Sequence, residues 1–357
     1  MIRTETTLNR FIFFMLLTLA LLISACNTNI QERSFESYLC EVNADGSGFR
    51  TLRHNDYSMT NSGLAQNPPT LKEFPYLIQY ANQDLLLVFR DDGCFRYNPQ
   101  RKVLEPIGDN IFAYMSNTSL HPTSSPDLFL AVYGNSIYQI FGNSLDYSLL
   151  QSAVASATSI PFSDYISILD PEGMNLATYQ DGSFSNNQIQ LPQNALRAFY
   201  FSGIDASVYI TSTKIMKYQS EAESVLYPFN SSVVRDPSFY PVNEDGLFLT
   251  NIRIESDEHL LLINADDESV QDLGIVHYPR LPNDLNIPIQ LSFTSDRSKF
   301  LYFDSTAMYI YDLHSHTKET VLVSSPNNHN LRNISSACIS PDGNKISFIC
   351  DIYKYQD

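Results

Sequence analysis

The sequence predicts an all-β fold, a β-propeller of four-stranded blades closed by N- and C-terminal strands that share one blade. Three observations lead there. An apolar strand, a polar turn and a second strand recur at intervals of 39 to 55 residues, anchored on Val42, Tyr97, Ile140, Tyr179, Tyr218, Ile263 and Tyr311. Apolar runs precede several of these copies: LLLVF (85–89), FLAVY (129–133), VYI (208–210) and FLYF (300–303). Short runs of this composition read as strands buried on both faces. Finally, the copy at 38–53 lacks the two strands that should come before it, and the last unit, 334–350, has only those two. Joined, the halves make one blade, and the six units between them bring the count to seven. The tail 351–357 (DIYKYQD) reads as a strand of its own, which keeps six or eight blades open. A sandwich, the competing all-β architecture, spaces its strands at about 8–12 residues and needs no longer repeat.

The chain begins with a leader. Arg3 and Arg10 stand against Glu5, and residues 11–23 (FIFFMLLTLALLI) carry no charge. That run is shorter than the roughly 20 residues of a membrane span and suits the apolar region of a signal peptide. It ends in Ile23-Ser24-Ala25-Cys26, an aliphatic residue and two small ones before a cysteine. These four residues resemble the lipobox of bacterial lipoproteins; the plainer alternatives are an ordinary secretory signal or an uncleaved anchor. The resemblance implies cleavage before Cys26 and a lipid on its thiol. The chain then divides into a signal peptide (1–25), a lipid-anchored tether (26–35) and the propeller (36–357). In that family an Asp after the cysteine favours the inner membrane. Asn27 therefore implies the outer membrane where there is one, and otherwise the outer face of the cytoplasmic membrane. Removing the leader takes the formal charge from −17 to −18, so an anionic membrane repels the body and the lipid must hold it.

Within the repeat, Ser340-Pro341-Asp342-Gly343 sets Pro where φ near −65° is wanted and Gly where φ is positive, and Asn43-Ala44-Asp45-Gly46 uses Asx side chains for the same purpose. The unit 287–322 and the partial unit 334–350 (ISSACISPDGNKISFIC) resemble the TolB-type propeller repeat, and Asn-Ala-Asp-Gly-Ser-Gly at 43–48 resembles that family's turn between third and fourth strands. The likeness implies a non-catalytic module that binds a protein of the cell envelope.

Composition narrows the function classes. Apolar residues are 43% and charged ones 17%, as in folded globular chains. A charge of −17 argues against nucleic acid as a partner. No Gly-x-Ser-x-Gly, His-Glu-x-x-His or paired Cys-x-x-Cys is present, so no catalytic residue, metal or cofactor is assigned. His314 and His316 flank a turn and lack a third ligand nearby. Carboxylates cluster at Asp91-Asp92, at Glu255, Asp257 and Glu258, and at Asp266-Asp267-Glu268. Convergence at a propeller channel would make such groups a site for a glycan or small ester, the alternative to a binding module. Of the cysteines beyond Cys26, Cys40 and Cys350 fall on neighbouring strands at the expected seam, where a disulfide would lock the ring; buried thiols are the default for them and for Cys94 and Cys338. A turn centred near Asp342 would set Cys338 opposite Ile346. The loop 55–70 is the longest stretch without strand character and a candidate for part of a binding face.

Overall fold

The computed structural model describes residues 34–55, 75–90, 93–107, 119–125, 128–141, 144, 146–180, 183–184, 189–229, 238–254, 257–276, 290–303, 307–321 and 331–354. Among these the regular elements are strands, which pair antiparallel in seven sheets. After β1 (Ser34–Asn43) and β2 (Arg50–Asn55) the chain builds six blades in succession. The first holds β3 (Pro75–Asn82), β4 (Leu85–Arg90), β5 (Gly93–Asn98) and β6 (Val103–Pro106); the second holds β7 (Ser119–Pro122), β8 (Leu128–Tyr133), β9 (Ser136–Phe141) and β10 (Tyr147–Ser152). In the third, β11 (Ser156–Ser159), β12 (Ile166–Leu169) and β13 (Asn175–Gln180) are followed by two short pieces, β14 (Ser183–Phe184) and β15 (Ile189–Gln190), both paired with β13. The fourth comprises β16 (Arg197–Phe201), β17 (Ala206–Ile210), β18 (Lys214–Gln219) and β19 (Ala222–Pro228). The fifth has β20 (Phe239–Pro241), β21 (Leu247–Ile254), β22 (Asp257–Asn264) and β23 (Ser269–Val276), and the sixth β24 (Ser292–Phe293), β25 (Lys299–Phe303), β26 (Met308–Asp312) and β27 (Thr317–Val321). Last come β28 (Leu331–Ile339) and β29 (Lys345–Lys354), which pair with the first strands in the order β28-β29-β1-β2. The molecule is a seven-blade β-propeller.

All seven repeat anchors fall on the third strand of a blade, from Val42 on β1 to Tyr311 on β26. The apolar runs are second strands: β4, β17 and β25 are buried along nearly their whole length. A second strand has a strand on each side and a blade over each face, so neither face can be polar.

Seven apolar clusters fill the spaces between blades. Leu39, Ile78, Val88 and Ile349 join the seam blade to the first; Val42, Leu301, Ile310 and Phe348 join it to the sixth. The other five clusters occupy the remaining junctions, so the ring has no open side. The seam is a continuous ladder from Ser34↔Lys354 to Asn43↔Lys345. Closing it pairs edges that would otherwise stand open.

Three expectations need correction. Residues 351–354 do not start a new strand but continue β29 against β1, which settles the count at seven. Cys338 stands opposite Ser347, with Ile339 opposite Ile346, because the turn at Ser340–Asn344 is one residue wider than a turn centred on Asp342 allows. β1 begins at Ser34, so the propeller takes two residues assigned to the tether. In that turn Gly343 has φ 75°, and a Cβ there would sit 3.1 Å from Thr294 of the sixth blade.

Candidate functional site

The innermost strand of each blade leaves one backbone edge facing the axis, and buried N–H and C=O groups need partners. Neighbouring blades supply them. The Ser336 hydroxyl of the seam blade accepts from the Ile78 amide of the first at 3.0 Å and donates to Gln290 Oε1. Gln290, ahead of β24, donates in turn to the Ile78 carbonyl, spanning the inner edge of the seam blade. Ser292 of the sixth blade accepts from the Ile339 amide at 3.1 Å. Ser167 accepts from the Tyr200 amide at 3.0 Å, and the Tyr165 hydroxyl donates to the Tyr200 carbonyl at 3.0 Å. Small hydroxylated residues on inner strands (Ser336, Ser292) and on a second strand (Ser167) thus serve the next blade's backbone.

The channel is filled by side chains. Phe162, in the turn after β11, packs on the cluster of Val242, Leu291 and Phe293 from the fifth and sixth blades. Blades that are not neighbours meet only across the axis, so Phe162 reaches into the channel. Its φ of 57° is one an aromatic residue rarely adopts, and its amide is held by the Pro122 carbonyl at 2.9 Å. Beneath it His121 Nδ1 and Ser159 Oγ share a hydrogen bond of 2.6 Å between the inner strands of the second and third blades. Burial pulls the His121 pKa down to about 4. So weak a base, under an aromatic cover, is poorly suited to activate a serine at neutral pH, and the pair acts as an inter-blade tie.

The two faces of the ring differ. Turns between first and second strands carry Asp84, Asp164, Asp205, Glu244, Asp296 and Asp342, all on one face. Most of these acids are used locally. Asp342 takes hydrogen bonds from Ser340 and Asn344, and Asp296 from Thr294 and Ser298. Asp164 accepts from Ser124 of the second blade and Glu244 from Ser202 of the fourth, tying neighbouring blades. For Asp342, burial pushes the carboxyl up, but the donated hydrogen bonds prevail and hold its pKa at about 2.

Among the described residues, the carboxylates singled out from the sequence do not gather. Asp266, Asp267 and Glu268 form the β22–β23 turn, with Asp267 accepting from the Ser269 amide. Asp257 and Glu258 open β22, and Glu258 accepts from Asn251 at 3.2 Å. His314 and His316 lie in the β26–β27 turn, where Asp312 accepts from the His314 amide. Among the described residues no three His, Cys, Asp or Glu side chains are placed to hold a metal. Cys26, Asp91, Asp92, Glu255 and residues 56–70 of the candidate loop lie outside the described residues.

The outer rim carries what sequence reading missed. The fourth strands present free backbone edges, and β2, β6, β19, β23 and β27 each include a charged residue. β10 (YSLLQS) has none. Its own Leu149 is 57% exposed and Tyr147 37%, and Phe141 at the end of β9 is 43% exposed. The missing charge is visible in the sequence, but only the blade order shows that this strand is an outer edge.

A solved structure described as "Crystal Structure of Mitotic Checkpoint Complex" is similar to this chain at 12% identity and a TM-score of 0.46, over 79% of this chain and 87% of that one. No family model and no curated protein matches the chain. A likeness of that degree transfers no partner, and the propeller assignment stands on the sheet order itself.

Proposed function

We propose that the chain is a lipid-anchored β-propeller with TolB-like repeats that serves as a non-catalytic protein-binding module or scaffold of the bacterial cell envelope. The observation that carries this reading is the contrast between an axis that Phe162 reaches into and an uncharged apolar strand on the rim. Phe162 occupies the channel where a propeller enzyme would take substrate, and the acids on the turn face are spent on turns and blade ties. Meanwhile β10 offers an uncharged edge that exposes its own Tyr147 and Leu149 next to Phe141 of β9. Such an edge accepts an extended segment of a partner by strand addition, backbone bonds giving affinity and the apolar side chains selectivity. The Ile23–Cys26 motif supports the anchor, and the repeats at 287–322 and 334–350 support the TolB-like relation.

The test is crosslinking in intact cells followed by mass spectrometry, with wild type beside Leu149→Lys. Capture of one or two stoichiometric envelope proteins by wild type, lost in the variant, is expected. Equal capture by both removes β10 from the reading; capture of nothing by well-expressed wild type removes the binding module. For the anchor, Cys26→Ala abolishes lipid labelling, and labelling that persists overturns the lipobox assignment.

A further inference from the structure

We propose that Cys40 and Cys350 are a covalent cross-linking site that locks the ring at its seam. Cys40 lies on β1 opposite Phe348, and Cys350 lies on β29 opposite Tyr38, so the two are diagonal neighbours across the strand pair that closes the propeller. Both belong to the cluster facing the sixth blade and both are fully buried. Their sulfurs are 4.0 Å apart as thiols. A disulfide needs about 2.05 Å, and because diagonal neighbours stand farther apart at Cβ than directly opposite ones, closing the gap takes rotation of both side chains together with a local shift of β1 against β29. The other two cysteines do not compete. Cys338 faces the first blade and Cys94 lies between the first and second blades.

The chemistry is thiol–disulfide exchange. The thiolate of one cysteine attacks a disulfide oxidant, a small-molecule or protein disulfide of the compartment, and releases one reduced thiol. The second cysteine then attacks the mixed disulfide and releases the other. Two protein thiols become one bridge, the oxidant becomes two thiols, and the protein loses two hydrogens. Because both sulfurs are sealed once the seam is closed, the exchange belongs to the step in which β1 docks on β29. The bridge spans 310 residues of chain, nearly the whole propeller, so it converts a ring held at its seam by hydrogen bonds and packing into one that cannot open there.

The full-length chain, refolded with a mixture of oxidised and reduced glutathione, tests this directly. Denaturation, alkylation of remaining thiols, digestion and mass spectrometry are expected to give the Cys40 peptide joined to the Cys350 peptide, with Cys94 and Cys338 alkylated. Cys40 and Cys350 both alkylated in correctly folded protein overturn the proposal, and so does a bridge from either of them to Cys26, Cys94 or Cys338. Reductant is expected to lower the melting temperature of the bridged wild type and to leave Cys40→Ala unmoved. A bridged protein that melts at the same temperature with and without reductant shows that the bond does not lock the ring. The peptide map needs no variant, so the proposal stays testable if Cys40→Ala does not fold.

Discussion

If the ring closes by pairing β1 with β29, truncations of facing residues across that pair must be energetically coupled. Leu39 and Ile349 stand directly opposite one another, are 2% and 0% exposed, and lie in one cluster with Ile78 and Val88 of the first blade. Removing the Leu39 side chain forfeits about 1.5–3 kcal/mol of burial and adds about 24 cal/mol for each Å³ of cavity left, so Leu39→Ala costs about 3 kcal/mol. Ile349→Ala costs about the same. Each substitution opens part of a shared void, so the double variant loses less than the sum, by about 0.5–3 kcal/mol. With no Trp in the chain, urea unfolding is followed by far-UV circular dichroism or tyrosine fluorescence. Leu39→Ala combined with Phe248→Ala is the control. Phe248 lies at the junction of the fourth and fifth blades, and this pair adds to within about 0.5 kcal/mol. Strict additivity of Leu39 and Ile349, or a Leu39→Ala cost below about 1 kcal/mol, would refute closure through these strands.

The remaining predictions concern the axis and the turns. His121 is neutral in the fold with a pKa near 4, so the unfolded chain takes up its proton first; stability is full above about pH 6.5 and falls as pH drops toward 4. Urea midpoints from pH 7 to pH 4 show that slope in wild type and a shallower one in His121→Asn; equal slopes would mean His121 does not report the channel. Asp342 works in the same direction at lower pH: its depressed pKa adds stability above about pH 3.8 that is lost as pH falls through about 2. Because the side chain is exposed, Asp342→Ala costs only about 1 kcal/mol in a thermal melt at pH 7, and no change would deny the turn its role. Half-buried Phe162 contributes about 2 kcal/mol, and Phe162→Ala speeds amide hydrogen exchange at 239–242 and 291–293; unchanged exchange would show that it does not cover the channel.

Different strands of a blade were legible to different degrees, for a physical reason. Second strands are covered on both faces and read as unbroken apolar runs, and third strands end in turns with their own chemistry, as at Asn43–Gly48. Inner strands resist reading. β11 is SATS and β24 only SF: Ser292 serves the backbone of the seam blade and Ser159 the His121 side chain of the second, so these strands obey no alternation of polar and apolar. The outer strand of the third blade is broken into β14 and β15 and carries too little pattern to find. The seam was legible because an incomplete unit at each end demands a complement. The candidate chemistry was not. Asp266–Glu268 shows acid without showing aim, and the structure turns these carboxylates into their own loop. Phe162 carried no signal, since an aromatic after a short polar strand is unremarkable until three blades meet around it.

The fold also decides how the anchored molecule would stand on a membrane. β1 enters the ring at Ser34, paired with Lys354, and reaches the turn bearing Asp45 at its far end. That turn and the one bearing Asp342 lie on the same face, opposite the point of entry. With the lipid on Cys26, seven residues lie between the anchor and Ser34, and the eight steps reach at most about 29 Å. The entry face is therefore the one held toward the membrane, and the acidic turns point away from it. A strand of about ten residues rises roughly 33 Å, several Debye lengths at physiological salt, so the turns bearing Asp45 and Asp342 are screened from anionic headgroups. Only the acids of the entry face, Glu172 among them, would be held against the membrane by the lipid. Fluorophores on Asp45→Cys and Glu172→Cys test it, since Glu172 lies in the β12–β13 loop on the entry face and both sites are exposed. In vesicles carrying the lipidated protein, quenchers on the headgroups should dim the label at 172 and spare the label at 45. Equal quenching, or the reverse order, would separate the direction in which the chain enters the propeller from the direction in which the propeller faces its membrane.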